Sequence, residues 1–155
     1  MTSFLSFSVS SECYAVPVER VEEALRLAWP TPVAEAPPDV LGVLNLGGEL
    51  LVVVDPAHRL GLKIQPPCQA DFLLVLSREE DQVALKIDSI EGLIEGSPTS
   101  TPRSASAPAF VVGYLLREGS PVAVLDVDGL LDPRTAALVQ EVKQPDPPEE
   151  PKEEA

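Results

Sequence analysis

Aromatic residues, histidine, cysteine and basic side chains are all scarce in this 155-residue sequence. Aromatic residues make up only 5% of it, so a chain that is 45% hydrophobic must build a mainly aliphatic core. No apolar run approaches the roughly 18 residues that a membrane-spanning helix needs, so we expect no membrane insertion. The N-terminus, MTSFLSFSVS, lacks the basic segment of a secretory signal and is predicted to form a first strand.

Basic residues are few: Lys and Arg number 11 against 25 Asp and Glu, which gives a formal net charge of −14. Such a chain repels phosphate backbones and anionic lipid, so we expect no nucleic-acid partner. The only two cysteines, Cys13 and Cys68, are far apart and form no CxxC pattern. This favours reduced thiols over a disulfide, and hence a cytoplasmic location.

Residues suited to catalysis are scarce as well. The sole histidine, His58, stands beside Arg59 with no nearby thiol or patterned serine, and is predicted to be a solvated loop residue. One histidine and two distant cysteines do not supply a zinc site, and no glycine-rich phosphate-binding motif is present. Asp126–Gly129 (DVDG) is predicted to be a strand-end turn rather than a calcium loop. We therefore predict no catalytic, cofactor-binding or metal-binding residues, and no enzyme.

The stretch Asp39–Leu62 organises the rest of the chain. It begins with a predicted turn that holds three glycines, Gly42, Gly47 and Gly48. The aliphatic run Leu50–Val54 follows and is predicted to be the central strand of the first half, covered on both faces. Pro56 ends that strand because it has no N–H to donate, and a turn over His58–Leu62 comes next.

Short apolar runs between glycine- and proline-containing turns predict most of the other elements. Further strands are predicted over Phe4–Val9, Cys13–Val16, Phe72–Leu76, Val83–Ile87 continued by Asp88–Ile94, Phe110–Leu116 and Val122–Val127. Apolar residues at helical spacing predict a short helix over part of Pro17–Leu27, with a return to strand in its later residues left open. Asp132-Pro133 predicts the start of a second helix, over Arg134–Val142. This pattern is typical of an all-β barrel or pair of barrels.

Three segments have the composition of loops or tails. Trp29–Pro38 has four prolines in ten residues and is predicted to be an irregular surface loop. Ser97–Pro108 is rich in Ser, Pro, Thr and Ala and is predicted to be a mobile loop. Gln144–Ala155 is an acidic Pro/Glu/Lys tail that we expect to be disordered. The domain is therefore predicted to span residues 1–143, with the tail at 144–155.

The central stretch resembles the CheW family of chemotaxis coupling proteins. The family hallmark, roughly G-V-x-N-L-R-G, an aliphatic run, D-L and R-x-G-L, is matched by Gly42–Gly48, the run to Asp55, and Arg59–Leu62. Other landmarks follow in the family's order over about Phe4–Leu138. They are the opening hairpin Phe4–Val9 and Tyr14–Val16, Val21-Glu22-Glu23, Ile87-Asp88-Ser89-Ile90, Val112-Gly113, and Leu125-Asp126 to Leu130-Leu131.

The resemblance implies an all-β fold of two small SH3-like five-stranded β-barrels that share an aliphatic core, with one or two short helices. It implies a non-enzymatic, cytoplasmic adaptor recruited to chemoreceptor arrays, without cofactors. Its partners would be a methyl-accepting chemoreceptor tip, bound near the groove between the barrels, and the regulatory domain of a CheA-type histidine kinase, docked barrel to barrel. The residues that match partner-binding positions are Val21, Glu23, Gly42, Asn45, Leu46, Gly47, Gly48, Ala84, Ile90, Leu93 and Gly113. Each has an alternative role in the core or in a turn.

One departure from the hallmark bears on the partners. Gly47 stands where the family has arginine, whose five-donor fork can hold a carboxylate or carbonyl. Loss of one such charge-assisted contact would remove about 1.5–3 kcal/mol of binding. Kinase binding is thus in question, and an accessory protein that binds receptors but not the kinase is an alternative interpretation. A stand-alone β-barrel binding module is a second alternative.

Overall fold

The computed structural model describes residues 2–78, 81–100 and 110–143. The predicted tail and most of the predicted loop 97–108 lie outside the described residues. The strands are β1 (Thr2–Val9), β2 (Glu12–Pro17), β3 (Val21–Arg26), β4 (Val40–Leu46), β5 (Glu49–Val54), β6 (Phe72–Ser77), β7 (Gln82–Ile87), β8 (Ser89–Gly96), β9 (Thr99–Ser100), β10 (Val111–Arg117) and β11 (Ser120–Leu125). The helices are α1 (Ala57–Leu60) and α2 (Pro133–Lys143), with a single 3-10 turn at Val18–Arg20.

The strands form two sheets of equivalent topology. In the first, which we name barrel A, the order is β8-β1-β2-β11-β10, with the two-residue β9 at the edge. In the second, barrel B, the order is β3-β6-β7-β5-β4. Each has one parallel pair at the same place, β2 with β11 and β7 with β5. The predicted all-β fold of two SH3-like subdomains is confirmed.

An internal repeat explains this equivalence. The hairpin β4–β5 and the hairpin β10–β11 share a register: Gly42 pairs with Val53, and Gly113 pairs with Val124, each beside a bulge. Each half of the chain also contributes strands to both barrels, since β1 and β2 pair with strands of the second half in barrel A, and β6 and β7 pair with strands of the first half in barrel B. The two barrels are therefore intertwined and cannot be separated by one cut of the chain.

Three clusters of buried side chains hold the barrels together. The largest lies between them and draws on both, for example on Phe7 of β1 and on Leu76 of β6. The interior of barrel A is built on Phe4, Ala15, Leu115, Val122 and Val124. The interior of barrel B is built on Leu51, Val53, Leu73, Val75 and Ala84. The shared core is largely aliphatic, as the low aromatic content predicts.

The C-terminal helix is anchored by one polar and one apolar contact. The Thr135 hydroxyl donates to the buried Asp39 carboxylate over 2.7 Å, and Val139 lies in the shared core. At the start of α2, the Asp132 carboxylate accepts from the Arg134 N–H over 2.9 Å, as expected of the predicted N-cap. Thus α2 begins as the sequence predicts and extends one residue further.

Two predicted elements differ from the structure. Only Val18–Arg20 of the segment 17–27 is helical, and Val21–Arg26 forms β3, because its backbone groups pair with β6. The apolar spacing looked helical because β3 has a bulge between Val21 and Glu23, which resets the alternation of its side chains. Residues 88–94 do not continue β7. Strand β7 ends at Ile87, and β8 begins at Ser89 and pairs with β1 in barrel A.

The central stretch also differs in detail. Gly42 lies within β4, a strand that the sequence did not predict, and only Gly47 and Gly48 form the turn. In barrel B, β7 is the middle strand, while β5 is one place from the edge. Leu51–Val54 are buried on both faces as predicted, with alternate residues in the shared core and in the barrel interior, although Leu50 is exposed. The turn at His58–Leu62 contains α1, which ends at Gly61 with φ +73°.

Candidate protein-interaction site

The tip of the β4–β5 hairpin is exposed and presents little but backbone. Gly47 and Gly48 have φ values of +62° and +96°, the left-handed pair that a two-residue hairpin turn needs. The Asn45 side-chain oxygen accepts from the Gly48 N–H over 2.8 Å and fixes the turn. A Cβ at Gly47 would meet no described atom within 4 Å. The tip therefore has room for an arginine side chain but supplies no side-chain donor of its own at this position.

Gly42 and Gly113 are buried, and each lies against the backbone of an edge segment of its barrel. Thr31 pairs with Val43 beside Gly42, and a Cβ on Gly42 would overlap the Thr31 carbonyl oxygen. At the equivalent place in barrel A, a Cβ on Gly113 would overlap the carbonyl oxygen of Thr99. Both glycines thus let an edge segment approach the bulged strand closely. Both glycines are therefore explained by the packing of the barrels, and neither is part of the exposed surface.

Ala84 is completely buried in the interior of barrel B. Its counterpart in barrel A is Ala15, which is equally buried, and each alanine lies opposite a valine of the parallel neighbour, Val53 or Val124. Small residues at both places let the parallel pair pack closely. Ala84 is accordingly a core residue and presents no side chain to a partner.

The remaining predicted contact residues lie on the outer strands of the two barrels. On β3, Val21 is half-buried against the shared core, and Glu23 is exposed. On β4, Leu46 is half-buried against the interior of barrel B. On β8, Ile90 and Leu93 are both exposed, Leu93 by 65% of its surface. Because β3 and β8 are equivalent strands, Val21 and Glu23 lie at the same edge of barrel B as Ile90 and Leu93 do in barrel A.

Barrel A carries further exposed apolar residues that the sequence did not point to. Leu116 on β10 is 71% exposed, and Val112 on the same strand is also exposed. We name Ile90, Leu93 and Leu116 the apolar face of barrel A; Val112 lies toward the other end of β10, where it borders a depression with Pro17 and Arg20. The signal that could have found it is the strand alternation of β10, in which Val111, Gly113 and Leu115 are buried and the residues between them are not. At the equivalent places of barrel B, Val21 and Leu41 are half-buried, and the exposed residues are the small Ala24 and the polar Asn45.

The junction between the barrels is held by an arginine. Arg20 follows β2 of barrel A and precedes β3 of barrel B, and it donates to both oxygens of the Asp128 carboxylate over 3.0 and 2.8 Å. It also donates to the Ser77 carbonyl oxygen over 3.1 Å. Its hydrogen bonds to Asp128 raise the pKa of Arg20 above its ordinary value, against a smaller lowering by burial. These contacts fix the position of Val21, the next residue along the chain.

His58 is exposed on the rim of a depression of about 260 Å³ that also borders Asp39, Arg59 and Arg134. Arg59 has other partners: it donates to the Leu130 carbonyl oxygen over 3.0 Å, and its guanidinium lies 4.9 Å from the centre of the Phe110 ring. The side chains bordering this depression include neither serine nor cysteine. His58 therefore has no nucleophile to activate among them.

Residues 2–78, 81–100 and 110–143 contain neither a metal-binding cluster nor a membrane-spanning helix. Within these ranges, no three His, Cys, Asp or Glu side chains come close enough to hold a metal ion. The same part of the chain contains no helix long and apolar enough to cross a membrane. Cys13 is half-buried and Cys68 exposed, and both are free thiols.

Comparison with known proteins decides the family. The model of the CheW-like domain matches residues 3–134, which is most of the chain. The chain belongs to the CheW-like family. Proteins of this family are scaffolds or adaptors, and the chain is accordingly an adaptor and not an enzyme.

The relatives of this CheW-like chain agree with the assignment. It is 29% identical to a Rhizobium meliloti protein named "Chemotaxis protein CheW" over 131 residues, covering 81% of this chain and 84% of that protein. A protein of the same name from Thermotoga maritima is 24% identical over 132 residues, covering 83% and 86%. The crystal structure of the scaffolding protein TtCheW from Thermoanaerobacter tengcongensis matches with a TM-score of 0.77 at 21% identity, covering 84% of this chain and 92% of that one. At that identity the structural match supports the fold alone.

Proposed function

We propose that the protein couples methyl-accepting chemoreceptor tips to the regulatory domain of a CheA-type histidine kinase in a bacterial chemosensory system. The observation that carries the proposal is the contrast between two equivalent barrel edges. The edge of barrel A exposes the large apolar side chains of Leu93 and Leu116, whereas the equivalent places of barrel B hold Ala24 and Asn45, so a single small protein offers two surfaces of different chemistry. An adaptor needs two such surfaces to hold two different partners at once.

We assign the kinase to the apolar face of barrel A. Leu93 and Leu116 are both more than half exposed, and exposed apolar side chains of this size are unfavourable in water. A docked barrel of the same fold would bury them. Burial of one such side chain contributes about 1.5–3 kcal/mol, so two of them supply a useful share of a micromolar interaction, about 8 kcal/mol. We assign the receptor tip to the junction between the barrels, where Val21 and Glu23 follow Arg20.

The test replaces one surface at a time. Leu93→Asp together with Leu116→Asp should weaken binding of the cognate kinase regulatory domain at least about a hundredfold and leave receptor-tip binding within about twofold. Glu23→Lys should weaken binding of the receptor tip and leave binding of the kinase regulatory domain within about twofold. Ile64→Asp is the matched control, because Ile64 is also exposed and apolar but lies in the connector before β6. If each variant weakens both partners equally, the assignment of the two surfaces is wrong.

The hairpin tip favours a second candidate: an accessory CheW-like protein that binds receptors without recruiting the kinase. The supporting observation is the open space around Gly47, where arginine would add a donor fork that this chain lacks. Gly47→Arg should then gain kinase binding of about tenfold or more. Gly47→Ala controls for the strain of a side chain at φ +62°. No gain in Gly47→Arg relative to Gly47→Ala would remove this candidate.

We also propose that the protein works in the cytoplasm at chemoreceptor arrays and that residues 1–143 are sufficient for it. A fluorescent fusion of residues 1–143 should form the same polar foci as the full chain. Those foci should disperse in a strain without chemoreceptors. Diffuse fluorescence of the full chain in the presence of receptors would contradict recruitment, and foci of the full chain alone would show that the tail is required.

A further inference from the structure

The two barrels differ in the pair of side chains found where an outer strand meets the barrel interior. In barrel B, Leu46 at the end of β4 packs on an interior that includes Val75 of β6. In barrel A, the residue at the place of Leu46 is Arg117, since β10 follows the register of β4. The residue at the place of Val75 is Ser6, because both stand at the bulge opposite the crossing strand. A polar pair thus replaces an apolar one at the same point of the fold.

The guanidinium of Arg117 reaches across to β8 and β1. It donates to the backbone carbonyl oxygen of Glu91 over 2.9 Å and to the Ser6 hydroxyl over 3.3 Å. The Ser6 hydroxyl donates in turn to the Gly92 carbonyl oxygen over 2.8 Å. Ser6 is fully buried, so these bonds satisfy a hydroxyl that would otherwise be costly inside the barrel.

A glycine and a carboxylate complete the arrangement. Gly92 has φ +136°, and a Cβ there would stand 3.9 Å from the Arg117 guanidinium, so the arginine passes directly over the bulge of β8. The Glu91 carboxylate lies 3.8 Å from Arg117 and accepts from the Ser89 hydroxyl over 2.7 Å. The pair is about one-third exposed, so its charge attraction adds only modestly to the two hydrogen bonds.

Within the described residues, β8 and β10 share no backbone ladder, since β8 is at one end of the strand order and β10 lies next to the two-residue β9 at the other. We propose that Arg117 is the positioning residue that joins these two strands, and that it thereby holds the apolar face of barrel A in shape for docking. Leu116 is the neighbour of Arg117 on β10, and Leu93 is the neighbour of Gly92 on β8. The arginine therefore fixes the relative position of the two most exposed leucines of that face. The docking half of this inference rests on the proposed function.

Amide hydrogen exchange of the full chain tests the strand contact without any partner. Arg117→Leu should speed exchange of the β8 amides about tenfold and leave β6 and β7 unchanged. Arg117→Lys keeps the charge but cannot reach two acceptors with a planar fork, so its exchange should be intermediate. Arg134→Leu is the matched control, because it removes an exposed arginine from α2 and should change nothing in β8.

Rescue separates this role from a general loss of stability. The double variant Ser6→Val with Arg117→Leu gives barrel A the apolar pair of barrel B and should restore slow exchange in β8. Calorimetric binding of the kinase regulatory domain should fall about threefold to tenfold in Arg117→Leu and recover in the double variant.

Three outcomes would overturn the proposal. Exchange in Arg117→Leu equal to that in Arg134→Leu would refute the strand contact, and a double variant no better than the single one would refute the pairing with Ser6. Faster exchange with unchanged kinase binding would refute the docking role. A wild-type chain that binds neither partner would instead contradict the proposed function, while the exchange result would stand.

Discussion

Replacing Gly42 by alanine should destabilise the domain far more than the same change at Gly47. A Cβ on Gly42 would overlap the Thr31 carbonyl oxygen, and the φ of +149° disfavours any side chain. To make room, the segment at Thr31 must move and lose its two hydrogen bonds with Val43, each 2.8 Å long. Two bonds at about 1 kcal/mol each and a strained backbone at about 1–3 kcal/mol give a loss of about 3–5 kcal/mol.

Urea denaturation followed by circular dichroism measures this loss. With a slope of about 2 kcal/mol per molar urea, the midpoint of Gly42→Ala should fall by about 2 M. Gly47→Ala meets open space and carries only the left-handed strain of about 1 kcal/mol, so its midpoint should fall by about 0.5 M. Equal midpoints for the two variants would refute the close approach of Thr31 as the reason for Gly42.

Three further perturbations test other parts of the fold. Ala84→Leu should overpack the interior of barrel B and cost about 1–3 kcal/mol by urea denaturation, whereas a neutral result would mean that this interior has spare room. Asp71→Asn should cost about 3 kcal/mol because it leaves the buried Lys86 ammonium without its carboxylate at 3.6 Å, and a Tm unchanged by the substitution would contradict this. Burial, and then the charge of Glu12, raise the pKa of Tyr14, so stability should hold below about pH 10 and fall as the pH rises further. Tyr14→Phe should reduce that alkaline loss of Tm, and an identical loss in both proteins would contradict the cause.

Much of the fold could be predicted from the sequence because side-chain alternation and turn residues act locally. The strand at Leu51–Val54 and the helix after Asp132 follow directly from such signals. The bulge between Val21 and Glu23 could not, since it places apolar residues at a spacing that imitates a helix. The crossing of β8 to the other barrel depends on long-range pairing with β1, which no local pattern encodes.

The internal repeat was present in the sequence. Residues 40–55 align without a gap with residues 111–126, with identical residues at the pairs Val40/Val111, Gly42/Gly113, Leu44/Leu115, Gly48/Gly119, Val53/Val124 and Asp55/Asp126. Recognising it would have predicted β4 and would have given Gly42 and Gly113 one shared role. It would also have exposed the substitution of Arg117 for Leu46, because a repeat shows where its two copies differ.

The sequence says less about the candidate site than about the fold. Motif matching gave the same weight to buried Ala84 and to exposed Leu93, because a motif position does not reveal the direction of its side chain. Leu116 belongs to no motif and was found only from its exposure. The exposed residues of one barrel edge lie on strands that are distant in the sequence, such as β8 and β10, and only closure of the barrel brings these strands together.

Calorimetric titration shows directly whether the protein binds both cognate partners at the same time. The wild-type chain is titrated with the kinase's regulatory domain, with the receptor's signalling tip, and with each partner after saturation by the other. If the protein is an adaptor, each partner should bind one to one, and the second partner should still bind to the complex with the first. Binding of neither partner, or competition between them for a single surface, would contradict the adaptor role.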